Sequence, residues 1–134
     1  MNIPTNLQAL SIRQPWAWLI LHAGKDIENR SWPTRYRGRV LIHAGKGMTK
    51  AEYQDAREHA AAIAPHITLP AFEELPRGGI VGEMRIVDCK ADSLSPWFFG
   101  PYGFVIEDAK RMPFTSCPGA LGFFRPKLDQ QNLL

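Results

Sequence analysis

Apolar and polar positions along the chain fall into short blocks whose spacing separates strands from helices. Leu7 to Ile12 reads as a strand. Gln14-Pro15 then opens a helix, because proline suits the first helical position. That helix runs from Trp16 to His22 and ends near Gly24, a residue suited to the left-handed conformation after a helix. It is apolar almost all round, which predicts a buried helix. Lys25 to Arg30 alternates, with Ile27 on one face and Asp26, Glu28 and Arg30 on the other, as the start of a strand. Trp32 to Gly38 is a loop by its Pro and Gly content, and Arg39 to Ala44 a strand.

Thr49 and Glu52 have the spacing of a capping box, and an alanine-rich helix follows over about Lys50 to Ala64, stopping at Pro65. Its apolar face is shallow, so it is expected on the outside of the core. His66 to Gly79 carries loop chemistry. Gly79 to Cys89 is the strongest strand signal, Pro96 to Gly103 an aromatic loop, and Phe104-Val105-Ile106 a short strand. Lys110 to Phe114 leads to a last segment, Gly122 to Arg125, and the tail from Asp129 to Leu134 is expected to fray. Five or six short strands, poorly interleaved with helices, predict a small curved sheet or barrel of the α+β, mostly β class, with two or three flanking helices.

Composition narrows the class. The chain has 134 residues, 45% hydrophobic and 22% charged, which suits one globular domain and not a disordered chain. Cys89 and Cys117 are too few for a disulfide framework and lack zinc-site spacing, so they read as small buried hydrophobes. The run from Trp16 to Leu21 is too short to span a bilayer, and the N-terminus lacks the pattern of a signal peptide. A soluble cytoplasmic monomer without metal or cofactor is the expectation.

The net charge of +3 hides an uneven distribution. Residues 1–50 hold eight basic side chains and two acids, whereas residues 51–134 are net acidic. A basic segment suggests an anionic partner such as nucleic acid; a solvated arginine-rich surface is the alternative.

Functional side chains are densest from Ser11 to Ala44. Glu28 and Arg30 lie two positions apart on one strand face and can exchange charge-assisted hydrogen bonds. Such a pair either fixes the strand or lines a polar pocket in which Lys25 contacts a phosphate or carbonyl. Arg13 can grip a phosphate, and Gln14 either reads a base edge or caps the helix. Trp32 and Tyr36 flank arginines, including Arg37, and suit base stacking, while Trp18 reads as plain core. His43, on a strand, reads first as a satisfied structural group. Glu83 interrupts an apolar strand, facing outward or lining a pocket. Phosphate-loop, dinucleotide, serine-hydrolase and zinc-protease motifs do not occur.

Several ordered motifs resemble the ASCH (activating signal cointegrator homology) domain. They are Leu10-Ser11-Ile12-Arg13-Gln14-Pro15-Trp16-Ala17, Gly24-Lys25-Asp26-Ile27-Glu28-Asn29-Arg30, Tyr36-Arg37-Gly38-Arg39, Ile42-His43-Ala44, and Gly79-Ile80-Val81-Gly82 with Val87-Asp88-Cys89. The resemblance spans about residues 7 to 126 and implies one ASCH domain over residues 1–134 with a PUA-like fold, a small β-barrel with a cleft beside the first helix. It implies binding of RNA or a modified nucleoside, with DNA as a further partner, through Arg13, Gln14, Pro15, Trp16, Lys25, Glu28, Asn29, Arg30, Trp32, Tyr36, Arg37 and His43. Some small bacterial members are amidohydrolases acting on N4-acetylcytidine. Their lysine falls on Lys25, and where they carry threonine three residues later this chain has Glu28. Glutamate cannot be a hydroxyl nucleophile but can act as a general base on water, which would make Lys25 and Glu28 the catalytic groups. A protein-interaction module without catalysis is the third expectation.

Overall fold

A computed structural model of the chain describes residues 3–4 and 6–128. The expected frayed tail from Asp129 lies outside them. Strands β1 (Ala9–Ile12), β2 (Ile27–Arg30), β3 (Gly38–Ala44), β4 (Gly79–Lys90), β5 (Tyr102–Ser116) and β6 (Phe123–Phe124) form one sheet in the order β2-β5-β4-β3-β1-β6. Helix α1 (Trp16–His22) follows β1, helix α2 (Lys50–Ile63) follows β3, and a 3₁₀ turn covers Phe72–Glu74. The sheet curls into a half-barrel, as an α+β PUA-like architecture requires. All pairings are antiparallel except β1 with β3.

Both faces of the sheet centre are covered, which explains why Val40 to Ala44 is buried without interruption. Leu10, Ile12, Val40, Ile42, Met84, Ile86 and Phe104 point to the α1 side and pack with Ala17 and Ile20. Ala9, Leu41 and Ile80 point the other way, against Ile3 and Met112. Helix α1 buries a second stripe too: Leu19 packs with Trp97 and with Ala60 and Ala64 from the α2 end. A seven-residue helix held between a sheet and another helix has little polar face to offer, hence its near-uniform apolarity.

The local signals have visible causes. Gly24 takes φ +73 just past α1. Thr49 accepts the Glu52 N–H at 3.0 Å while the Glu52 carboxylate accepts the Thr49 N–H at 3.0 Å, closing the capping box. β1 begins at Ala9 and not at Leu7.

The largest correction is β5. The short strand expected at Phe104 to Ile106 extends to Ser116, through the polar stretch Glu107 to Arg111 and the segment expected only to lead onward. Glu107, Asp108, Lys110 and Arg111 are exposed on β5, so polar residues are no obstacle there. The hairpin also carries three irregularities. Glu83 pairs with Lys110 and Arg85 with Glu107, leaving one extra residue on β5 next to Asp108 at φ 53. Bulges break the period-two pattern that marks a strand in sequence.

The outer strands β2 and β6 are tied by side chains near the seam. Trp32, just past β2, packs edge-on against Phe104 at 5.2 Å and Phe123 of β6 at 5.9 Å. Arg30 of β2 donates to the Ser11 carbonyl of β1 at 2.7 Å, beyond the point where the two-residue β6 stops pairing.

Candidate functional site: a buried lysine–glutamate pair beside α1

The turn after α1 sends Lys25 back beneath the helix. Its side chain is 1% exposed. Nζ donates to the Ile27 carbonyl and to Glu28 Oε1, the latter at 3.3 Å. Glu28 Oε2 meets the Arg30 guanidinium at 3.1 Å, so one carboxylate sits between two cations. Burial pushes the Lys25 amine below its ordinary value; Glu28 opposes that shift and Arg30 adds to it. The Trp16 ring lies 5.8 Å from Nζ, in cation–π range.

Trp16, Lys25, Glu28, Asn29 and Phe99 enclose a cavity of about 210 Å³. Asn29 fastens its outer wall: its amide donates to the Trp97 carbonyl at 3.0 Å and accepts from Phe99 and Gly100 N–H at 2.8 and 3.0 Å. Phe99 is thereby held at the mouth, half-exposed, edge-on to Trp16 at 6.4 Å and to His59 of α2 at 5.2 Å. Neither Phe99 nor His59 stands out in the sequence as a site residue. Loop position and aromaticity were visible, but only the Asn29 clamp shows that the loop folds back over Lys25.

Lys25, Glu28, Asn29 and Trp16 come together, with Arg30 behind Glu28. The other expected residues lie elsewhere. Arg13 is exposed and pairs bidentately with Glu52 at the start of α2, at 2.8 and 2.9 Å. Gln14 is buried on the far side of α1, accepting the Trp18 N–H and donating to the Pro76 carbonyl, both at 2.9 Å. Pro15 is buried at the start of the helix. Trp32 and Tyr36 pack against Phe123 in the seam. Arg37 is exposed, 3.6 Å from Asp88. His43 is buried; its Nε2 donates to the Cys117 carbonyl at 2.9 Å, and its Nδ1 lies 3.0 Å from the Ser11 hydroxyl. Trp18, expected as plain core, is half-buried and borders a second cavity. Glu83 pairs with Arg39 across β3 and β4.

A family model, the ASCH domain, matches residues 10–107. The chain belongs to the ASCH domain family. Activating signal cointegrator 1 of Mus musculus is 33% identical over 82 residues, 60% of this chain and 14% of that protein. Activating signal cointegrator 1 of Homo sapiens is 33% identical over 84 residues, again 60% and 14%. This chain thus aligns with only a small part of these curated relatives. The matched segment of the ASCH domain contains Lys25, Glu28, Arg30 and Phe99. Among the described residues, no helix is long and apolar enough to cross a membrane, and no cluster of three or more His, Cys, Asp or Glu side chains could hold a metal ion.

Proposed function

We propose that the cavity over Lys25 holds one unpaired base of an RNA strand or of a modified nucleoside. The observation that carries this reading is the buried Lys25–Glu28 pair at the foot of an aromatic mouth. Lys25 engages two acceptors, so its ammonium has a third N–H to give; Glu28 retains lone pairs. An adjacent donor and acceptor match the edge of an amino-bearing base, whose exocyclic amine donates to the carboxylate and whose ring nitrogen or carbonyl accepts from lysine. Trp16 and Phe99 offer aromatic surface for the ring, as single-strand recognition requires. A volume of about 210 Å³ lies below the ~300–1,000 Å³ of sites for drug-sized ligands, which suits a base with sugar and phosphate left outside. The family's association with RNA binding agrees with this reading.

Binding of a short single-stranded RNA, followed by tryptophan fluorescence across a salt series, tests it. Phe99→Ala, at an exposed position, is expected to weaken binding about tenfold with the salt slope unchanged. No binding at low salt, or a silent Phe99→Ala, overturns it.

A hydrolytic reading is favoured by one feature, the contact of Lys25 with Glu28 inside a single cavity. Glu28 would take a proton from water as its oxygen attacks the acyl carbon of an N4-acylated cytidine. The C–N bond breaks and the proton passes to the leaving amine, while Lys25 donates to the carbonyl oxygen. Turnover by the wild type and its loss in Lys25→Met would support it; equal inertness of both across several acyl groups would sink it.

A further inference from the structure

A cavity larger than the one over Lys25 lies across α1 from it. Trp18, Leu21 and His22, spaced three and four residues apart, share the helix face that borders it, about half a turn round from Trp16. Its volume is about 550 Å³, within the usual range of small-molecule sites.

A defect in the sheet builds this cavity. Ile80 pairs with Thr115 and Gly82 with Arg111, so Met112, Pro113 and Phe114 of β5 face the single residue Val81 of β4. Two extra residues force β5 outward, and bulges of this kind commonly re-aim side chains beside functional sites. The walls rest on two glycines of β4. A Cβ on Gly79 would lie 2.6 Å from the Phe114 ring, and one on Gly82 2.7 Å from the Leu21 methyl. Val81 forms the floor between them, and Phe114 stands half-exposed at the rim.

The polar groups here are few and unequal. The Gln14 amide is engaged on both sides, by Trp18 and Pro76. No carboxylate is among the lining residues. The Arg111 side chain is exposed and makes no ion pair or hydrogen bond with another described side chain. His22 is held below its ordinary value by partial burial and by Arg111, so it adds less positive charge than a free imidazole would. The site thus offers an apolar chamber with one positive charge at its edge that is unpaired among the described residues.

We infer that this bulge-built cavity binds a compact apolar molecule bearing one negative charge, an aryl carboxylate by class, with its ring between Trp18 and Phe114 and its anion on Arg111. The charge complementarity commits the occupant: a neutral apolar molecule would leave Arg111 unused, and a free base would find no convergent hydrogen-bonding groups. The inference is independent of the Lys25 cavity.

The test uses 1-naphthoate and its uncharged analogue 1-naphthalenemethanol, by calorimetry and by amide and indole NMR shifts on the full chain. Naphthoate is expected to bind at least about tenfold more tightly, as a charge-assisted arginine contact provides. Shifts should fall on the Trp18 indole and on Leu21 and Val81. Arg111→Gln should abolish the preference without altering binding of the alcohol, and Phe114→Ala should weaken both probes. Both substitutions are at exposed positions, and circular dichroism checks that the fold persists. Absence of saturable binding, equal affinity for the two probes, a preference that survives Arg111→Gln, or shifts confined to Trp16 and Asn29 would each overturn the inference.

Discussion

Replacing Glu28 with glutamine isolates the electrostatics of the Lys25 cavity. The change keeps shape and most hydrogen bonding but leaves Lys25, 1% exposed, facing Arg30 with no counter-charge between them. Removing one partner of a buried ion pair costs about 3–5 kcal/mol. The lower figure applies, because the amide oxygen of glutamine can still accept the lysine N–H. A loss of about 3 kcal/mol corresponds to roughly 10–15 °C in Tm for a chain of this size.

The pH dependence gives a sharper reading. Burial already places the Lys25 amine below 10.5 in the folded protein, so the unfolded chain binds more protons and stability rises with pH up to that value. Below the folded value both states are protonated and the full penalty is present. Glu28 holds the folded value up, so Glu28→Gln lowers it further and the rising window opens at lower pH. Urea unfolding at pH 7 and 9.5 measures the difference, with a limiting slope of about 1.4 kcal/mol per pH unit. The double variant Lys25→Met, Glu28→Gln should recover most of the loss, because an apolar side chain of similar length replaces the stranded ammonium. The reasoning is refuted if Glu28→Gln stays within about 1 kcal/mol of wild type with no pH slope, or if the double variant is no more stable than the single.

Three further outcomes are expected. Arg30→Lys cannot reach both the Ser11 carbonyl and Glu28 and should lose about 2 kcal/mol in urea unfolding. Gly82→Ala would put a Cβ 2.5 Å from the Lys110 carbonyl oxygen, which the β5 backbone cannot yield, so a destabilisation of about 3 kcal/mol should appear in thermal unfolding. Thr49→Ala removes the side-chain half of the capping box and should cost about 1 kcal/mol, read by the same melts.

Local rules carried far along this chain. Thr49 with Glu52 marks the start of α2 because a cap is a contact over three residues. Alternation sets Glu28 beside Arg30, and they meet at 3.1 Å. What escaped sequence reading depends on long-range contacts. The polar stretch of β5 needs β4 as partner to become a strand, and the bulge opposite Val81 has no period to betray it. The aromatic mouth depends on Asn29 reaching across more than sixty residues to Trp97. Charge segregation also changes on folding. Arg13, Arg37 and Arg39 from the basic segment pair with Glu52, Asp88 and Glu83 from the acidic one, so much of the excess seen along the chain is neutralised in space.

The seam between β2 and β6 bears on how the protein behaves in a crowded solution. An open sheet ends in strands whose unpaired backbone groups can recruit another chain. Here one outer strand is only two residues long and the other carries Arg30, whose side chain is directed at the Ser11 carbonyl just where β6 gives out. Trp32 fills the remaining gap against Phe104 and Phe123. The same arginine that neutralises Glu28 therefore also guards a sheet margin against intermolecular strand addition. Damage there should appear as concentration-dependent aggregation before it appears as unfolding, linking the chemistry of the cavity to the colloidal solubility of the fold.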